Sequence, residues 1–231
     1  MKSKITLNQK TLNFGHNDSY SEKDLYKSSC NEVAINLISN WPDWPINNRI
    51  FCIYGPLGSG KTHISKVWIK KSNALVFSDI SHLNLDYFSN FHRNIVFEDV
   101  EPNKKWPENL LFEFINQIKS SKLSLLITCS KNPLNLQWKM KDLISRFTSF
   151  TNVEIKLPDD YLIKKILTKL FADRQLSLDH QHIDFITNRI ERSYLSIINI
   201  VNKIDTLALQ YKKSVTSSIV KEAIKSMNNL N

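Results

Sequence analysis

Glycine and cysteine are both scarce in this chain, with four and three in 231 residues. Cys30, Cys52 and Cys129 have neither CxxC spacing nor an even count. That pattern suggests neither a disulfide framework nor a zinc cluster and points to buried thiols. No stretch reaches the roughly 18 to 20 uninterrupted apolar residues of a membrane span. Residues 1–14 also lack the apolar segment of a signal peptide. The expectation is a soluble, cytoplasmic protein with no membrane partner.

Apolar material is nonetheless ample. Hydrophobic residues make up 42% of the chain, with 12 Phe, 7 Tyr and 5 Trp, so the ordering entropy of a folded domain can be offset. The length suits one large or two small domains. The net charge of +9 raises nucleic-acid binding as a function. The charge is spread out, however: from Asp159 onward 11 Lys and Arg face 8 Asp and Glu, a net of +3 that leaves +6 on the longer first part. Pairs such as Lys70-Lys71, Lys104-Lys105, Lys164-Lys165 and Lys212-Lys213 read as solvated helix faces.

Three of the four glycines fall in one loop, Gly55-Pro56-Leu57-Gly58-Ser59-Gly60-Lys61-Thr62, a complete GxxxxGK[ST] phosphate-binding loop. An apolar strand over Arg49–Tyr54 precedes it and a helix over His63–Lys71 follows. Glycine lets the backbone N–H groups turn inward around phosphates, where the positive end of the helix adds attraction. Lys61 is expected to reach the β- and γ-phosphates, and Thr62 to hold Mg²⁺.

Downstream, strands are expected at Ala74–Ser78, Asn94–Glu98, Leu123–Thr128 and Asn152–Ile155, with helices between them. The clearest helix is Trp106–Ser120, with an apolar face of Leu110, Leu111, Phe114 and Ile118. This is an α/β fold with a parallel sheet of about five strands, whose ligands sit beyond the C-terminal strand ends. Glu98-Asp99 follows the third strand in the manner of a Walker B pair. In such a pair the first carboxylate holds Mg²⁺ and the second polarises the attacking water. Glu98 stands where Asp is usual and Asp99 where the water-polarising Glu is usual, so both arms differ in length from the pattern. A solvated acidic strand end is the alternative. Ser130, after the fourth strand, reads either as a γ-phosphate sensor or as part of a short polar loop.

From Pro158 onward only helices are expected: Asp159–Arg174, Asp179–Ile190, Tyr194–Tyr211 and Val215–Met227. The organisation read from the sequence is a flexible tail over 1–20, a nucleotide-binding α/β domain over 21–157 and a helical lid over 158–231.

With GPLGSGKTH at 55–63, ITCSKNP at 127–133, LISRF at 143–147, LPDDYL at 157–162, Arg192 and the WPDWP run at 41–45, the chain resembles the P-loop AAA+ ATPases of the DnaA group. Within that group it is similar to the Hda-type regulatory inactivators of DnaA. The resemblance implies Ser130 as sensor 1, Arg146 as an arginine finger and Arg192 as the sensor 2 arginine. It implies ADP or ATP with Mg²⁺ as ligand, contributed by Gly55, Pro56, Leu57, Gly58, Ser59, Gly60, Lys61 and Thr62, with Thr62 and Glu98 on the metal and Asp99 beside the attacking water. A DnaA initiator carries a further helix-turn-helix domain after the lid, so origin recognition is not expected of a chain that ends at Asn231. Gln9-Lys10-Thr11-Leu12-Asn13-Phe14 matches the QxxLxF form of a sliding-clamp-binding peptide, with Gln9, Leu12 and Phe14 as anchors.

The implied function is regulation of replication initiation. The protein would bind adenine nucleotide and the DNA polymerase III sliding clamp, reach DNA indirectly through that clamp, and stimulate hydrolysis of DnaA-bound ATP, with weak ATPase activity of its own. A second copy of the chain is a candidate partner. An autonomous ATPase or helicase-loader-like protein acting on single-stranded DNA is the alternative. Replacing Gln9, Leu12 and Phe14 together with Ala should abolish clamp binding in a surface-binding assay while leaving the melting temperature unchanged, because a terminal tail adds little to a core. Wild-type clamp affinity in that variant would reject the motif.

Overall fold

The computed structural model describes residues 25–45, 49–84 and 92–228. Gln9, Leu12 and Phe14 lie outside the described residues. The strands are β1 (Ile50–Tyr54), β2 (Leu75–Phe77), β3 (Ile95–Phe97), β4 (Leu125–Cys129) and β5 (Thr151–Glu154). They form one five-stranded sheet in the order β2-β3-β4-β1-β5, and every pairing is parallel. β1 and β3 are uninterrupted apolar runs, and β4 is buried throughout with Thr128 as its one polar residue, because helices cover both faces of the sheet.

The alternation of side chains along each strand sorts two cores. On one face Cys52, Phe97, Ile127 and Cys129 meet Leu111, Phe114 and Ile118 of α3 (Glu108–Ser120) and Leu143 and Phe147 of α4 (Lys141–Ser149). On the other, Phe51, Ile53, Val96 and Leu126 meet Ile35 and Ile38 of α1 (Glu32–Ser39) and Ile64, Val67 and Trp68 of α2 (Lys61–Ser72). Trp44 stacks on Trp68 with ring centroids 5.2 Å apart and closes that second core.

Four helices follow β5: α5 (Asp160–Asp173), α6 (His180–Thr187), α7 (Tyr194–Tyr211) and α8 (Ser217–Asn228). They enclose a core of their own, with Leu162, Leu167, Phe171, Ile200, Ile204 and Val220 buried at its centre. Side-chain caps set three of their starts: Asp159 accepts from Leu162 N, Asp179 from His182 N and Ser193 from Ser196 N.

Several elements differ from the sequence expectations. α1 was not anticipated, since Asn31 provides no side-chain cap and the helix is short; its Ala34, Ile35 and Ile38 face is nevertheless fully buried. α4 was visible only as the LISRF resemblance, and the i,i+4 pair Leu143 and Phe147 is what anchors it. α7 has the expected bounds, Tyr194–Tyr211, and Arg192 lies in the turn before it. Two of the basic pairs are not simply solvated. Lys71 Nζ donates to Ser39 O at 2.8 Å, joining the ends of α2 and α1, and Lys164 pairs with Asp184 of α6 at 2.6 Å. Lys104-Lys105 sits in the turn before α3 rather than on a helix.

The segment leading into α1 is tied to the helical unit. Asp159 Oδ2 accepts from Ser28 Oγ at 2.6 Å and from Ser29 Oγ at 3.1 Å, and Lys156 N donates to Cys30 O at 3.0 Å. Partial burial pushes the Asp159 carboxyl up, but the bonds from Ser28, Leu162 N and Ser29 outweigh it and hold the group below its ordinary value. A carboxyl depressed in the folded state stabilises above its unfolded pKa, and that contribution is lost as the pH falls through the folded value. Asp159→Ala should therefore cost about 1 kcal/mol or more in urea denaturation at neutral pH, the scale of a lost N-cap. The difference from wild type should shrink on acidification below the ordinary carboxylate range.

Candidate functional site

The C-terminal ends of β1, β3 and β4 converge on one edge of the sheet, and the loop 55–60 connects β1 to α2 there. Gly55 N donates to Cys129 O at 3.2 Å, which fixes the start of the loop to the end of β4. Three glycines are required by geometry, since a Cβ on Gly55 would collide with the backbone carbonyl of Ile155. Gly58 and Gly60 have φ of +79° and +98°. A Cβ on Gly58 would sit 2.5 Å from Ser193 Cβ, and one on Gly60 would sit 2.6 Å from the Tyr194 ring.

Lys61, the first residue of α2, is only 8% exposed. Its ammonium donates to Gly55 O at 2.7 Å and Pro56 O at 3.1 Å, so the loop curls around the cation. Burial pushes the Lys61 pKa down, opposed by the negative charges of Asp99 and Glu101. Ser59 Oγ is buried in the same loop without a hydrogen-bond partner among the described residues. Leu57 is 92% exposed at the tip, and Thr62 is exposed on the first turn of α2. A buried cation, an orphaned hydroxyl and a cradle that side chains would fill form a donor set suited to a polyphosphate.

The acidic side is built by β3. Ser65 Oγ, one turn beyond Lys61, donates to Glu98 Oε1 at 2.6 Å. The longer Glu98 arm thus reaches α2, the helix that also carries Thr62, an arrangement compatible with a magnesium ligand. Asp99 is exposed and takes the left-handed conformation, φ +55°, held by its N–H donating to Thr128 Oγ1 at 2.9 Å. Ser130 follows β4, and its N–H donates to Glu101 Oε1 at 2.9 Å. The loop, Glu98, Asp99 and Ser130 therefore share one edge.

Arg146 and Arg192 do not join them through any of these contacts. Arg146 is half-buried on α4 with its guanidinium over the Phe112 ring of α3, 5.5 Å from the centroid. Arg192 pairs with Asp160 at the start of α5 at 2.7 Å. Three residues entered the site without being singled out in the sequence. Ser65 was signalled only by lying one turn after Lys61, and Glu101 only by the acidic spacing of Glu98-Asp99-Val100-Glu101. Tyr194 carried no local signal. Its N–H donates to Gly58 O at 3.0 Å, its ring lies parallel to His63 with centroids 6.1 Å apart, and burial pushes its phenol pKa up.

The molecule superposes on domain III of the Thermotoga maritima replication initiation protein DnaA with a TM-score of 0.78, covering 91% of this chain and 97% of that one at 17% identity. The fold is the AAA+ fold of a DnaA-type domain. AMPPCP-bound DnaA from Aquifex aeolicus matches with a TM-score of 0.69 at 20% identity, covering 83% of this chain and 66% of that one. A Thermotoga maritima RuvB structure matches with a TM-score of 0.71 at 15% identity, covering 90% and 73%. In sequence, an uncharacterized protein of Haemophilus influenzae is 27% identical over 196 residues, covering 78% of this chain and 83% of that protein. The Azoarcus chromosomal replication initiator DnaA is 24% identical over 226 residues, covering 88% of this chain. This chain spans 46% of that initiator's length, about half. No family model matches. Among the described residues no helix is long and apolar enough to cross a membrane.

Because Lys61 supplies the point charge of the cradle, Lys61→Ala should lose ADP binding in calorimetry with the fold intact by circular dichroism. Unchanged ADP affinity would sink the phosphate-loop assignment.

Proposed function

We propose that this protein is a DnaA-related regulator of replication initiation that binds adenine nucleotide, docks on the sliding clamp and stimulates hydrolysis of DnaA-bound ATP. The observation that carries the reading is the DnaA-type fold with a buried, polyphosphate-ready Lys61. The backbone N–H groups of 58–62 and the α2 terminus bind the phosphates, Lys61 exchanges its loop carbonyls for phosphate oxygens, and Ser59 offers its unused hydroxyl. Mg²⁺, held by Thr62 and Glu98, neutralises phosphate charge when bound. Ser130 faces the phosphate end, and Arg192 is the candidate sensor on the helical side.

Turnover within this site is expected to be slow. Asp99 is a short arm where a longer carboxylate usually polarises water, and Glu98 is engaged by Ser65. The contribution to hydrolysis is assigned instead to Arg146, which is packed on Phe112 and makes none of the loop contacts described above. In a complex with ATP-bound DnaA its guanidinium would stabilise charge on the γ-phosphate, an effect of about 10³- to 10⁵-fold where such fingers operate. Gln9, Leu12 and Phe14 would bring the protein to the clamp, and so to DNA.

Arg146→Ala should keep ADP and clamp binding yet fail to accelerate turnover of DnaA-bound ATP in the presence of DNA-loaded clamp. Stimulation equal to wild type removes Arg146 from the role. Loss of this protein's own nucleotide instead would place the arginine in cis and favour the autonomous ATPase.

A further inference from the structure

Glu101 is left over by the site as described. It stands three residues past Glu98, is half-buried, and spends one carboxylate oxygen on Ser130 N at 2.9 Å. Ser130 adjoins Cys129, whose carbonyl accepts from Gly55 N, and Gly55 O in turn accepts from Lys61 Nζ at 2.7 Å. Glu101 is thus connected to the buried ammonium through three links along the loop rim. Asp99 lies on the same rim, pinned by Thr128 with its carboxylate exposed. Ser59 Oγ, buried and unpartnered in the loop between them, marks the space as one built for a polar ligand.

We propose that Glu101 is a specificity-determining residue that makes the site select the magnesium complex of its nucleotide over the metal-free form, by adding with Asp99 a second fixed negative charge at the phosphate mouth. This rests on the nucleotide reading above. A free nucleoside diphosphate carries about three negative charges at neutral pH and its magnesium complex about one. Asp99 and Glu101 add to the carboxylate of Glu98 on the edge that Lys61 occupies, so the bare polyphosphate meets an excess of like charge that the complex largely escapes. Burial strengthens both terms relative to water. The field at Lys61 has the matching sign, since Asp99 and Glu101 both favour its charged form. The hydrogen bond to Ser130 holds the carboxylate at the rim instead of letting it swing into solvent, so charge and position are supplied by the same side chain.

Two variants separate charge from hydrogen bonding. Glu101→Gln keeps an oxygen for Ser130 N and removes the charge, whereas Glu101→Asp keeps the charge and shortens the arm. ADP affinity of the full chain is measured by calorimetry in EDTA and in excess MgCl₂, with melting curves as a check on folding. In EDTA, Glu101→Gln should bind ADP about three- to tenfold more tightly than wild type, the scale of one unit charge at a partly buried site. Its magnesium-dependent gain should fall by the same factor. Glu101→Asp should retain the wild-type magnesium dependence. Equal affinity of wild type and Glu101→Gln in EDTA overturns the proposal while leaving the nucleotide reading standing. A wild-type protein that binds no ADP under either condition overturns both.

Discussion

A cation buried at the mouth of the sheet sets the terms for everything around it. The Lys61 ammonium has left water, and within the protein it is held by two carbonyls of its own loop. Carbonyl dipoles compensate a buried charge only in part, so the conformation is one that an anion improves. The loop needs positive φ at Gly58 and Gly60 to close around the cation, and β4 must offer Cys129 O to the Gly55 amide. The chain just past β3 then delivers carboxylates whose charge opposes the effect of burial on the lysine. The strand order places β1 between β4 and β5 with β3 next to β4, and this is what brings those groups to a single edge.

The sequence made this edge readable because its chemistry is contiguous. Eight consecutive residues build the loop, and an apolar run before Glu98-Asp99 announces the acidic strand end. β1 and β4 were legible as mostly apolar segments, since burial on both faces removes any need for polar alternation. The clustering of three glycines into one loop did more to locate the site than any charge count, because positive φ at Gly58 and Gly60 is a backbone requirement that other residues meet at a cost.

What escaped the sequence depends on contacts between distant residues. Ser65 and Glu98 are 33 positions apart, Glu101 and Ser130 are 29 apart, and each pair is assembled only when α2, β3 and β4 are laid side by side. α1 lacked a capping signal and drew its stability from burial against α2 and the sheet. The start of α7 at Tyr194 was legible, although nothing local in the sequence separated Arg192 from the helix. The Ser193 hydroxyl, capping Ser196 N, fixes the boundary. Tyr194 shows the same limitation. Its ring matters to the loop only because α7 returns to the sheet edge some 130 residues after Gly60.

The bonds from Ser28 and Ser29 to Asp159, together with Tyr26 packed on the helical core, give the chain an asymmetric mooring. Residues 25–31 run beside the four-helix unit before entering α1, so the covalent path from the N-terminal peptide reaches that unit ahead of the sheet. A load applied to residues 1–24 is therefore borne first by hydrogen bonds at the base of α5, the same helix whose Asp160 holds Arg192. The start of the described chain is thus mechanically nearer to the four-helix unit than to the loop that carries Lys61.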